Sequence, residues 1–263
     1  MKPGKYIFFD IDGTIEHRQL GTPQSAIDAI RMLRENGHHS IVCTNRIRNN
    51  IQSHIEGMNF DGIISGTGSD IEYKGETLFS STMPPEEVRK IVELLRKHHF
   101  VASPEGKNIF FIDPEYLEWY LQSDSYKRYR KSEGGSVQPW DSSNTRIAKV
   151  GAYYTPESDR DAYLNEVDDG YYCLIHGDHF LETVPKETTK GNAIRWLINK
   201  LGINYEDTYA FADTYADLDM LQAVHHPIAM GNGNEKLLAV IKDHAKPLLE
   251  DGLYLKLQEI GLI

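Results

Sequence analysis

Two carboxylates, Asp10 and Asp12, close an apolar run near the start of the chain, Lys5-Tyr6-Ile7-Phe8-Phe9-Asp10-Ile11-Asp12-Gly13-Thr14. A short apolar run bounded by a turn reads as a buried parallel strand. Asp10 then stands at the strand's carboxyl end, where open α/β sheets bind ligands. Strand alternation would place Asp10 and Asp12 on one face, but Gly13 marks a turn there. Two carboxylates converging on one point repel each other unless a cation or a proton separates them. Such a pair suits metal-assisted or acid–base chemistry.

Three further polar groups fall at strand ends or a helix start: Thr44-Asn45-Arg46, Lys190, and Asp213 with Asp217. Singly, Thr44 reads as a helix cap, Lys190 as a solvated lysine, and Asp213 and Asp217 as a cap and a helix charge. Their shared placement on one scaffold argues for a common site.

That scaffold is legible from periodicity. A helix over 25–36, with Ala26, Ile27, Ile30 and Leu33 at helical spacing, stops at Gly37. Strands are expected at 40–43 and 61–65, with a helix over 47–56 between them. Strand, helix, strand, helix, strand predicts an α/β, doubly wound parallel sheet of the Rossmann-like kind. The pattern then changes. A hairpin turn at 73–76 precedes a helix from Pro84-Pro85 to about 97. Short strands at 100–103 and 108–112, a helical stretch over 114–129 and a loop at 132–136 follow. Strands at 146–154, 171–175 and 179–184 enclose a helix at 156–167. The parallel style resumes with a helix over 189–201, strands at 207–212 and 227–230, and helices at 216–223, 235–241 and 254–260. The expected division is a core of 1–82 and 186–263 interrupted by an α+β insertion, 83–185.

The resemblance that these residues carry is to the haloacid dehalogenase superfamily phosphatases, in the Cof-type group with a large α/β cap. It spans nearly the whole chain. Asp10-x-Asp12-Gly13-Thr14 matches the first motif, Thr44 the second, Lys190-Gly191-Asn192-Ala193 the third, and Ala212-Asp213-Thr214-Tyr215-Ala216-Asp217 the fourth. Met230-Gly231-Asn232-Gly233 is similar to another stretch recurrent in that group. The resemblance implies that Asp10 is a covalent nucleophile forming an aspartyl-phosphate. It implies that Asp12 is the general acid and then base, and that Thr44, Asn45 and Lys190 bind the phosphate. It implies Mg²⁺ held by Asp10, the Asp12 backbone carbonyl and Asp213. Thr14, Asp217 and Asn232 would support these groups, and residues 83–185 would be the cap that selects a small phosphorylated metabolite. Three positions depart from the family pattern. Asn45 stands where Gly is common; Asn adopts a positive φ more easily than most residues, so the turn is expected to survive. Ala212 replaces Gly, and Ala216 replaces an Asn whose role water or Asn232 would take over.

Composition narrows the alternatives. The chain has 263 residues, 40% hydrophobic and 25% charged, with a net charge of −11. Nucleic-acid and anionic-membrane partners are disfavoured, and a phosphate site needs locally placed cations. Cys43 and Cys173 fit no metal or redox spacing and read as reduced thiols of a cytoplasmic protein. The run from Met1 into the first strand leaves no room for a signal peptide, and no apolar run has membrane-spanning length. A monomer and a homodimer are equally compatible with the sequence. His17 reads as an exposed flap residue, and the pairs at His38, His98 and His225 lack metal-ligand spacing. The basic stretch 126–131 reads as a solvated helix face, and Trp119, Tyr120 and Trp140 as core of the insertion. The function expected is a Mg²⁺-dependent phosphatase, with a phosphomutase or a weakly catalytic phosphometabolite-binding protein as alternatives.

Overall fold

A computed structural model describes residues 4–130, 137–141, 143, 146–177 and 179–263. The loop expected at 132–136 lies outside these residues, and of the basic stretch 126–131 only the side chains of Tyr126 and Lys127 are described. The chain forms two compact units. The first comprises Met1–Asn45, His54–Phe79 and Thr189–Ile263; the second comprises Arg46–Ser53 and Ser80–Thr188.

Seven strands form the sheet of the first unit: β1 (Tyr6–Phe9), β2 (His39–Cys43), β3 (Gly62–Ser65), β4 (Asp70–Tyr73), β5 (Glu76–Ser80), β12 (Thr208–Ala212) and β13 (His226–Ala229). Their order is β13-β12-β1-β2-β3-β4-β5. The five from β13 to β3 pair in parallel, and β4 returns antiparallel on β3. This is the expected doubly wound α/β core. Its strands are apolar on both faces because both faces are covered. Phe8, Ile41, Cys43, Ile64, Ala210 and Ala212 bury one face in a core shared with Ala193, Ile194 and Leu197 of the helix Lys190–Leu201. The expected hairpin turn forms at Lys74-Gly75, both with positive φ, as a two-residue turn between twisted strands requires.

The second unit carries β6 (Val101–Gly106), β7 (Ile109–Ile112), β8 (Val137–Pro139), β9 (Lys149–Tyr153), β10 (Tyr171–His176) and β11 (Phe180–Pro185), ordered β10-β11-β9-β6-β7-β8. The helices Pro85–Lys97 and Arg160–Glu166 supply Val88, Ile91, Val92, Leu95 and Tyr163 to one core with Ala102, Val150, Ala152 and Leu181. Lys149, of the sheet's alternate residues, is buried with Glu182 at 2.5 Å and Glu105 at 3.4 Å.

The helix expected over 47–56 does not form as one piece. A 3₁₀ turn, Arg48–Asn50, and a short helix, Ser53–Glu56, flank an extended Ile51. Two adjacent asparagines are weak helix formers. Ile47 packs with Val101, Phe110, Ile112 and Tyr120, and Asn49 donates to the Asn108 carbonyl at 2.6 Å. Tertiary packing thus claims a segment that lies in sequence between two strands of the first unit. The stretch expected as helical over 114–129 breaks at an extended Ser123. Trp119, expected in a core, is 47% exposed, whereas Tyr120 and Trp140 are buried. Among the described residues no helix is long and apolar enough to cross a membrane.

Candidate active site

Parallel register sets the site. Phe9 of β1 lies opposite Val42 of β2 and Phe211 of β12. Asp10, Thr44 and Asp213 each follow closely beyond these strand ends. The Asp10 amide donates to the Phe211 carbonyl at 3.0 Å, extending the ladder one residue. Strand order turns in opposite directions on either side of β1, the place where doubly wound sheets open a crevice.

Lys190 begins the helix that packs under this edge. Thr189 caps the helix by accepting from the Asn192 amide at 3.0 Å. Gly191 permits its close approach, since a Cβ there would stand 2.4 Å from the Asp219 carbonyl oxygen. The Lys190 Nζ reaches Asp10 Oδ1 and Asp217 Oδ1, each at 2.6 Å, with all three side chains buried. Burial by itself lowers a lysine pKa, but the carboxylates of Asp10 and Asp217 outweigh it and raise that of Lys190 well above its ordinary value. The lysine therefore stays charged.

One ammonium does not balance the carboxylates. Oxygens of Asp10, Asp213 and Asp217 lie within 4.8 Å of one another. Burial pushes the Asp10 carboxyl up to about 7, Lys190 opposing and Asp217 and Asp12 adding to the rise. Burial pushes Asp213 up to about 8, reinforced by the Asp10 and Asp217 charges. Asp213 Oδ1 is buried without a hydrogen-bond partner. Buried negative charge in excess, hard oxygen donors and an orphaned carboxylate oxygen fit a divalent cation such as Mg²⁺. Both oxygens of Asp217 are engaged, one by Lys190 and the other by the Thr214 hydroxyl at 2.7 Å. Asp217 is thus less free than Asp213 to take a cation.

Asp12 stands exposed past the strand end, unlike the buried Asp10. Gly13 adopts φ +80°, and a Cβ on it would fall 2.0 Å from Asp213 Oδ2. Only glycine fits where the first motif's turn meets the later aspartate. Asn232 secures the same turn. Its Nδ2 donates to the Gly13 carbonyl at 2.8 Å, and its Oδ1 accepts from the Leu248 amide at 2.8 Å. Thr14 is fully buried in the turn, its hydroxyl without a partner.

The departures resolve physically. Asn45 does not take the positive φ expected of it, so its replacement of Gly carries no backbone strain. Asn232, the expected stand-in for the Asn absent at Ala216, holds Gly13, and Thr214 secures Asp217. Thr214 went unremarked in sequence, although a Thr three residues before an Asp is a recognisable side-chain bonding spacing. Two other contacts carry no sequence signal: His54 Nε2 to Glu16 Oε1 at 2.8 Å, and the Thr67 amide to the Thr44 carbonyl at 3.2 Å. His17 accepts from the Gln19 and Leu20 amides; it is half-buried, not exposed as expected, because it folds back on the turn that follows it. Among the described residues no histidine joins a metal-competent cluster.

Known proteins share this architecture. YkrA of Bacillus subtilis (strain 168), provisionally named a phosphatase, is 24% identical over 98% of both chains. From the same organism, the 5-amino-6-(5-phospho-D-ribitylamino)uracil phosphatase YwtE is 24% identical over 89% of this chain and 90% of its own. A solved protein of Geobacillus kaustophilus HTA426 superposes with TM-score 0.84 at 26% identity, covering 99% of this chain and 100% of that one. BT4131, described as an HAD subclass IIB sugar phosphatase, superposes with TM-score 0.85 at 23% identity, over 98% and 100%. The family description of haloacid dehalogenase-like hydrolases matches residues 7–257, from the first strand to the last helix, and the chain belongs to that family.

Proposed function

We propose that the protein is a Mg²⁺-dependent phosphatase that hydrolyses a small phosphorylated metabolite through an aspartyl-phosphate. The observation that carries this reading is the buried Lys190 bridging Asp10 and Asp217, with Asp213 alongside. Asp10 attacks phosphorus, and the bond to the leaving alcohol breaks. Asp12, exposed beside it, protonates the departing oxygen and then takes a proton from the water that hydrolyses the acyl phosphate. Lys190 offsets charge on the phosphoryl oxygens, and Thr44 and Asn45 bind them together with nearby backbone N–H groups. Asp217 aims Lys190, Thr214 fixes Asp217, and Asn232 and Thr14 hold the turn that presents Asp12. Asp10, Asp213 and the Asp12 backbone carbonyl would hold the metal. When bound, Mg²⁺ supplies the positive charge that keeps Asp10 ionised and offsets that of the incoming anion. We assign substrate choice to the expected insertion, residues 83–185, which falls within the second unit, as a cap.

The test is release of inorganic phosphate over a panel of phosphate esters with Mg²⁺. Sugar phosphates are expected among the esters cleaved. Isomerised ester without released phosphate would identify a mutase, and no turnover of any ester would leave a binding protein.

The metal assignment makes a separate prediction. Burial raises the folded-state pKa values of Asp10 and Asp213 to about 7 and about 8, well above the ordinary aspartate range. Without metal the folded state therefore binds more protons than the unfolded one, and this contribution to stability falls as pH rises from about 4 to about 8. Mg²⁺ competes with those protons. Millimolar Mg²⁺ in place of EDTA is expected to raise the thermal midpoint by several degrees at pH 8.5 and by much less at pH 6. Calorimetry showing equal shifts at both values would count against metal binding at these carboxylates.

A further inference from the structure

Beyond β3, the turn Gly66–Gly68 places three successive residues in the left-handed region: Gly66 at φ +57°, Thr67 at φ +62° and Gly68 at φ +105°. Glycine adopts this region freely, but a β-branched threonine there is a true outlier. Thr67 is also 2% exposed, and its hydroxyl is buried without a hydrogen-bond partner. Neither its backbone nor its side chain is accounted for by local stability. Strain of this kind persists where surrounding structure enforces it, and it gathers at functional sites.

The neighbours of the turn suggest what it does. On one side the Thr67 amide donates to the carbonyl of Thr44 at 3.2 Å. On the other, Gly68 lies against the start of the Lys190 helix. A Cβ on Gly68 would stand 2.5 Å from the Thr189 carbonyl oxygen and 3.1 Å from Ala193 Cβ. The turn is therefore wedged between two groups of the site that come from distant parts of the sequence. Glycine at position 67 would meet the φ requirement without strain, but would leave the wedge free to rock. A residue with a Cβ has a much narrower backbone range than glycine, so the enforced conformation has fewer neighbours to drift into.

We propose that Thr67 is a positioning residue, whose confined left-handed backbone sets the spacing between Thr44 and the first turn of the Lys190 helix. The inference rests on the phosphate-binding roles given above to Thr44 and Lys190.

The test compares wild type with Thr67→Gly and Thr67→Asn by thermal unfolding, amide hydrogen exchange and hydrolysis of para-nitrophenyl phosphate. Asn tolerates the left-handed region while retaining a Cβ. In Thr67→Gly the thermal midpoint is expected to equal or exceed that of wild type. The amides of Thr44, Thr67, Asn192 and Ala193 are expected to exchange at least ~10-fold faster, reflecting local opening without global loss. A fall of ~5-fold or more in kcat/KM, without a lower midpoint, is the signature of lost transition-state positioning. Thr67→Asn is expected to restore most of both effects. Wild-type exchange rates in Thr67→Gly would overturn the inference, as would an activity loss that merely follows a lowered midpoint. Faster exchange in a protein whose wild type cleaves no ester would uphold the positioning and overturn the proposed phosphatase function instead.

Discussion

Asp10→Asn is expected to lower kcat for phosphate-ester hydrolysis by at least ~10⁴-fold at saturating Mg²⁺, the order lost when a covalent nucleophile is removed. A loss of that size corresponds to about 5 kcal/mol of transition-state stabilisation. The amide has the shape of the carboxylate, so the turn at Gly13 and the ladder bond from residue 10 to Phe211 are undisturbed. Its oxygen is a poor nucleophile and a weak metal ligand. Folding is expected to survive, because the substitution removes one negative charge from a buried cluster that holds three aspartates against one lysine. Lys190 keeps Asp217 as a partner. In EDTA at pH 8 the thermal midpoint should therefore stay at or above that of wild type. Steady-state kinetics and calorimetry on the same preparation decide the matter. A folded Asp10→Asn protein retaining a tenth of wild-type kcat would remove Asp10 from the nucleophile's role.

The second large effect is expected at Lys190. Lys190→Met preserves much of the side-chain volume but leaves Asp10 and Asp217 buried without their shared cation. Removing one partner of a buried ion pair costs about 3–5 kcal/mol, because the remaining charge keeps its desolvation penalty. The loss should depend on pH, with a sign that follows from Asp10. Its pKa, already raised to about 7 with Lys190 present, rises further once the largest opposing influence is gone. The variant's folded state then holds its extra proton to higher pH, so its stability relative to wild type falls as pH rises. Destabilisation is expected to be smaller near pH 5.5, where Asp10 is protonated, than above pH 8. Activity should fall by at least ~10³-fold at every pH, since Lys190 is the residue proposed to offset charge on the phosphoryl oxygens. Urea denaturation at pH 5.5 and 8.5 checks the first expectation. A loss of stability that is the same at both would mean that Asp10 and Lys190 are not electrostatically coupled as their 2.6 Å contact implies.

Much of this protein is written locally. Apolar runs bounded by turns located β1, β2 and β3, and the helical spacing of Ala26, Ile27, Ile30 and Leu33 located the helix after β1. Those patterns depend only on which face of an element is buried, so they survive reading one residue at a time. Asp10, Thr44, Asp213 and Lys190 could be named because strand ends and helix starts are themselves marked, by Gly13, by a Thr cap and by a change of period.

What joins those residues is not local. Lys190 meets Asp10 across 180 positions of sequence, and only parallel pairing of β12, β1 and β2 brings their ends into one row. The same holds for Asn232, whose sequence neighbourhood suggested a substitute for the missing Asn but whose side chain secures Gly13. Segment 47–56 reads as a helix by pattern, yet the burial of Ile47 with Val101 and Phe110 outweighs so short a stretch of weak helix formers. Thr67 shows the limit most plainly, since nothing in its residue type announces a left-handed backbone. The sequence alone determined the groups available: carboxylates and a threonine at strand ends, a lysine at a helix start, and more acidic than basic residues among them. Tertiary structure alone decided which atoms face each other, because side-chain pairing follows the register and packing of whole elements, not the spacing of residues along the chain.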